Sequence, residues 1–121
     1  MNSYQEEIKK FCEERNWDQF HNPNDLLLGI IEEVGEFRNI IKWEQKPEII
    51  KKVLLENEKK VKDNIGDIFW FLAILANSCD IDIDEAIQGV IKNNKKRFPI
   101  ARTQNKHTNV YLGGYDKKYK K

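Results

Sequence analysis

An all-α bundle is the fold class this sequence predicts, and three observations predict it. Apolar residues recur at three- and four-residue spacing through most of the chain. Only three prolines and six glycines punctuate 121 residues, and most stand between the periodic blocks. No strand-like alternation lasts more than a few residues.

The elements follow in order. Tyr4, Ile8, Phe11 and Cys12 repeat at helical spacing, so the first helix covers about Ser3 to Arg15. Asn16 to Asn24 reads as a loop rich in Trp, Asn and Pro. Asn24 is the expected cap of a second helix reaching about Lys42. Pro47 suits a first helical position and opens a helix or helix pair to about Asn77, broken near Glu56-Asn57. Asp80 to Asp84 is a turn whose last Asp is expected to cap a fourth helix. That helix runs from Glu85 to about Arg97 and stops at Phe98-Pro99. Four helices with short connections describe a four-helix-bundle-type domain over residues 1–112. Residues 113–121, Gly-Gly-Tyr-Asp-Lys-Lys-Tyr-Lys-Lys, read as a basic, flexible tail.

Composition narrows the class of function. The net charge of +1 conceals a division: residues 1–91 carry 11 Lys and Arg against 19 Asp and Glu, and residues 92–121 carry 10 against 1. An acidic body argues against a nucleic-acid coat but can hold divalent cations, while a basic end can meet phosphates. No apolar run approaches the roughly 20 residues of a membrane span. The start of the chain has no basic or apolar leader character. Cys12 and Cys79 stand too far apart in sequence for a thiolate zinc motif. Both read as small core residues of a protein in the reducing cytoplasm.

The informative residues are carboxylates on apolar faces. With Leu26 at 0° and about 100° per residue, Glu33 falls near 340°, between Ile40 and Leu26. Glu36 lies on the shoulder of that arc, near 280°, and Glu32 further out near 240°. With Asp67 at 0° on the third helix, Phe71, Ile74, Leu75 and Ile68 flank it, and Asn64 and Asp63 lie within about 60°. Buried carboxylates are costly unless paired or bound to metal, and neither core-facing arc contains Lys or Arg. Hard oxygen donors suit Mg²⁺, with Mn²⁺ as the alternative. The competing reading is that these acids are solvated. A di-iron carboxylate bundle is excluded because its Glu-x-x-His pairs are missing.

The run Glu32-Glu33-Val34-Gly35-Glu36, followed by Asn64-Ile65-Gly66-Asp67, resembles the Glu-Glu-x-x-Glu … Glu-x-x-Asp signature of the MazG-like, all-α nucleoside triphosphate pyrophosphohydrolases. The segment from Phe11 through Glu14-Arg15-Asn16-Trp17-Asp18-Gln19-Phe20-His21-Asn22-Pro23 is similar to the dCTP pyrophosphatase branch. So are Trp43 and Asn94-Lys95-Lys96-Arg97-Phe98-Pro99. The resemblance implies Mg²⁺-dependent hydrolysis of a nucleoside triphosphate to monophosphate and pyrophosphate, as nucleotide-pool housekeeping. It implies Glu33, Glu36 and Asp67 as metal ligands, joined by Asn64 or Asp63. It implies Glu36 or Glu32 as the residue that positions or deprotonates the attacking water. A non-catalytic nucleotide-binding or helical interaction module is the alternative, because Asn64 and Val90 depart from the family's Glu and Lys. Ile8 stands where dCTP-directed relatives carry a His, which leaves the preferred base open.

The remaining expectations concern the substrate. By resemblance Trp17 and Trp43 sandwich the base, and stacking of this kind is worth roughly 1–3 kcal/mol. The alternative is that each seals an end of the bundle. Phe71, one turn beyond Asp67, either floors a deoxyribose pocket or is ordinary core. His21 is a substrate contact or a turn-stabilising residue. Asn94, Lys95, Lys96 and Arg97 are expected to meet the phosphates, although cations at a helix C-terminus also suit its dipole. The expected partners are a triphosphate, deoxy preferred, and copies of the same chain, a tetramer rather than a dimer. Neither membrane nor nucleic acid is expected.

Overall fold

The computed structural model describes residues 2–119. Met1 and the last two lysines of the expected tail, Lys120 and Lys121, lie outside the described residues. Six α-helices and no strand occur among the described residues: α1 (Ser3–Glu14), α2 (Pro23–Asn39), α3 (Pro47–Glu56), α4 (Glu58–Ser78), α5 (Ile83–Arg97) and α6 (Ile100–Thr103). Short 3-10 turns cover Asp18–Phe20, Val110–Leu112 and Lys117–Tyr119. By its contacts the chain forms two compact units, residues 1–83 and 84–121.

In the first unit, α4 is the central element. Helix α2 packs along it most extensively, α1 packs on it as well, and α3 touches it. Cys12, Leu26 and Ile74 form the buried centre, with Ile8, Phe11, Trp70, Phe71 and Leu75 packed around them. Trp70 meets Phe11 edge-to-face at 5.2 Å between ring centroids, so it is a packing residue. The helix break falls where it is expected: Asn57 separates α3 from α4, leaving the α region at φ −112°, ψ 38°.

Two boundaries differ from expectation. The cap of α2 is Asn22, not Asn24. Asn22 accepts the Asn24 N–H at 2.8 Å, and Pro23 takes the first helical position, where its missing N–H loses nothing. Helix α5 starts at Ile83 rather than Glu85, so Asp84 and Glu85 sit in its first turn. The reason is a polar residue that periodicity cannot flag. Gln5 on α1 is fully buried. Its Oε1 accepts the Ile83 N–H at 3.0 Å, and its Nε2 donates to the Ile81 carbonyl at 2.7 Å and to Asn77 Oδ1 at 3.0 Å. Gln5 thereby satisfies the Ile83 N–H, one of the four that a helix start leaves without an intrahelical partner.

Both α1 and α4 end in the same way. Asn16 and Asp80 take left-handed φ of 54°, Trp17 N–H bonds the Cys12 carbonyl at 3.0 Å, and Ile81 N–H bonds the Ala76 carbonyl at 2.9 Å. These are Schellman closures, and the one on α1 brings Trp17 edge-on to Phe11 at 5.5 Å. Cys79 is corrected by the same geometry: it caps α4 and is exposed, whereas Cys12 is buried as expected. Leu27 and Val34 on α2 are half-exposed in the single chain.

In the second unit, the Arg97 guanidinium grips Asp116 through two nitrogens, with Nε donating to Oδ1 at 2.6 Å. Asp116 is buried, so residues 113–119 are anchored by an ion pair within the segment expected to trail freely. Gly114 is required there, because a Cβ would sit 1.8 Å from the His107 carbonyl oxygen.

Candidate active site

Helices α2 and α4 bring Glu33, Glu36 and Asp67 together in the first unit. The Glu33 carboxyl is pushed above the usual carboxylate range. Burial is the largest cause, then the charges of Glu36 and Asp67, a side-chain hydrogen bond with Glu36, and the charge of Glu32. One of its oxygens, Oε2, is buried with no hydrogen-bond partner. Glu32, Glu36 and Asp67 are exposed. The group is therefore a half-buried acid ringed by solvent-facing acids, with no Lys or Arg among the causes that shift it.

Asn64 and Asp63 separate clearly. Asn64 is 6% exposed and its Nδ2 is buried without a partner. Asp63 is exposed and lines a groove at the α3–α4 junction with Glu56, Asn57, Glu58, Lys59 and Lys60. Phe71 holds α2 close: a Cβ on Gly29 would meet its ring at 3.0 Å. It packs against the core, so the residue is at least structural.

The aromatic and basic candidates sit as follows. Trp17 follows α1, 41% exposed, with one edge against Phe11. Trp43 stands in the loop after α2, 80% exposed, at a left-handed φ of 75°, with Lys42 Nζ 5.2 Å from its ring centroid. His21 is largely buried and its Nδ1 has no hydrogen-bond partner, lying 3.8 Å from Asp18 Oδ1. Asn94, Lys95 and Lys96 are exposed on the last turns of α5, whereas Arg97 is committed to Asp116.

One grouping escaped the sequence. Donor atoms of Cys12, Asp18 and His21 lie within 4.8 Å of one another. Their spacing crosses a helix end and a 3-10 turn, so it has neither a helical period nor a recognisable ligand motif. Burial, with Asp18 as the next cause, raises the Cys12 thiol pKa, so the thiol is neutral around pH 7.

The charges of Glu36, Asp67 and Glu32 thus bear on a carboxyl that has one buried, unpartnered oxygen, and hard oxygen donors are the type that divalent cations favour. The profile described as "MazG nucleotide pyrophosphohydrolase domain" matches residues 21–101, which include all of these acids. The chain is 30% identical to human dCTP pyrophosphatase 1 over 100 residues, 80% of this chain and 59% of that protein. It is 32% identical to the bovine protein of the same name over 92 residues, 75% of this chain and 54% of that one. The chain thus spans a little over half the length of these relatives. A solved pyrophosphatase from Archaeoglobus fulgidus superposes with a TM-score of 0.73 at 25% identity, covering 82% of this chain and 95% of that one.

Proposed function

Because the chain belongs to the MazG nucleotide pyrophosphohydrolase domain family, we propose that it hydrolyses nucleoside triphosphates between the α and β phosphates, releasing monophosphate and pyrophosphate. The observation that carries this reading is Glu33: a carboxylate with a buried, unpartnered oxygen, held against Glu36 and Asp67. Such a set is unfavourable without a cation and is relieved by one.

Glu33, Glu36 and Asp67 fit Mg²⁺, or Mn²⁺, with Asn64 as the fourth oxygen donor through its carbonyl. Asn64 is preferred to Asp63 because it is buried on α4, whereas Asp63 is exposed. When bound, the cation supplies charge neutralisation of the triphosphate and Lewis acidity. Glu36, exposed at the rim, positions the attacking water or takes its proton, and Glu32 is the neighbouring candidate for that role. Trp17 and Trp43 offer exposed aromatic faces to a base. His21 borders the Trp17 loop as a further contact. Phe71 closes the floor beneath the sugar, which favours deoxynucleotides. Asn94, Lys95 and Lys96 are the donor and cations offered to phosphate, whereas Arg97, expected in the same role, is held by Asp116.

This reading extends to the assembly. Leu27, Ile31 and Val34 on α2 and Ile65 on α4 are half-exposed or more, which supports burial between copies in a homotetramer. Residues 1–112 serve as the catalytic domain and 113–121 as its basic extension. No described helix is long and apolar enough to cross a membrane. That fits the proposed cytoplasmic role in nucleotide-pool housekeeping.

The test is pyrophosphate release from a panel of natural and modified NTPs and dNTPs with Mg²⁺ or Mn²⁺. Release is expected, abolished in Glu36→Gln and in Asp67→Asn. Nucleotide binding without release from any substrate would replace this reading with the binding-module alternative, which Asn64 motivates.

A further inference from the structure

We infer that Cys12, Asp18 and His21 form a second cation site, for a transition metal of the zinc type, separate from the carboxylates of α2 and α4. The donor set is one sulfur, one oxygen and one imidazole nitrogen. Borderline cations such as Zn²⁺ and Co²⁺ favour that mixture, whereas Mg²⁺ does not. The three donor atoms already lie within 4.8 Å of one another.

The backbone explains why they meet. The Schellman closure reverses the chain at Asn16, with the Cys12 carbonyl accepting the Trp17 N–H. The 3-10 turn follows at once, and the His21 N–H bonds the Asp18 carbonyl at 3.1 Å. Cys12 is therefore the fixed side of the site and the 18–21 turn is its other side. An independent observation points to a ligand there: His21 Nδ1 is buried without a hydrogen-bond partner. A buried ring nitrogen in that state is costly, and a cation would satisfy it.

Space and access are also present. A cleft of about 320 Å³ is lined by Lys9, Glu13, Asp18, His21, Ile74, Asn77 and Ser78. It opens onto two of the three donor residues, Asp18 and His21, and so offers an approach to them. With metal–ligand bonds of about 2.0–2.3 Å, tetrahedral ligands stand roughly 3.3–3.8 Å apart. His21 Nδ1 and Asp18 Oδ1, 3.8 Å apart, already have that spacing. Binding forms a sulfur–metal bond as the Cys12 thiol releases its proton to solvent. The bound cation would clip the α1 terminus to the turn and fix the loop that carries Trp17.

The experiment titrates the chelator-treated full chain with Co²⁺. One cobalt per chain with a thiolate-to-cobalt charge-transfer band in the near ultraviolet is expected, displaced by one equivalent of Zn²⁺ and retained in excess Mg²⁺. The band should vanish in Cys12→Ala. Asp18→Ala changes an exposed residue and leaves the core intact. It should weaken cobalt binding by about tenfold or more, since even outer-shell partners are worth about 10–100-fold. Absence of the band, its persistence in Cys12→Ala, or unchanged affinity in Asp18→Ala would each overturn the assignment.

Discussion

Gln5 shows how much one buried polar side chain can organise. Its side-chain bonds to Asn77, Ile81 and Ile83 all reach more than seventy positions along the chain. Gln5→Leu would fill a similar volume but strand the Ile83 N–H and the Ile81 carbonyl. A loss of about 3 kcal/mol in unfolding free energy is expected, measurable by urea denaturation. Asp116 makes a different prediction. The Arg97 hydrogen bonds are the main cause holding its carboxyl below the usual range. A depressed folded-state value means the stabilisation is complete above the unfolded value of about 3.9 and is lost as pH falls through the folded one. Melting temperature followed from neutral to acid pH should therefore show a drop that Asp116→Asn lacks, the variant being weaker already at neutral pH. Neither residue was legible in the sequence. A Gln among lysines and glutamates, and a lone Asp in a basic run, both carry the composition of surface. Glu33 was legible, because its angular position among Leu26, Phe37 and Ile40 contradicts its charge.

At the scale of elements, the helices were readable because their apolar period is strong, and their ends were readable only where local chemistry decides them. The break at Asn57 and the stop before Pro99 are local. The start of α5 is not, since its first N–H is satisfied from α1. Close packing of α2 on α4 is also invisible in sequence, and glycine is its trace. Gly29→Ala gains about 1 kcal/mol of helix propensity, but its Cβ would press on Phe71 at 3.0 Å. Phe71 is hemmed in by the core, and overpacking typically costs about 1–3 kcal/mol. A net loss of about 1 kcal/mol is expected. Gly35→Ala and Gly66→Ala meet nothing within 4 Å. Each should gain about 0.5–1 kcal/mol. Thermal unfolding of the three variants side by side checks the contrast.

For the molecule as a whole, few large side chains are fully enclosed. Among the described residues Cys12, Leu26, Ile74, Ala73 and Ala76 are the buried apolar set, while Leu28, Ile31, Leu55 and Ile65 are more than half exposed. Apolar surface left open in this way is available for a partner to cover. If copies of the chain cover the α2 face, the melting temperature will rise with protein concentration. Scans over a hundredfold dilution check this, and a flat response would remove the case for the tetramer.

The interruption at Asn57 has a kinetic meaning. Helix α3 has no fully buried residue and its principal neighbour is α4, whereas α4 is the spine of the first unit. Joined by a single non-helical residue, the two need not open together. The amides of α3 can exchange with solvent deuterium through a local excursion that leaves the carboxylate cluster assembled. Those around Asn64 and Asp67 wait for a larger opening. Deuterium exchange should therefore be faster in α3 than in α4, with the boundary expected at Asn57.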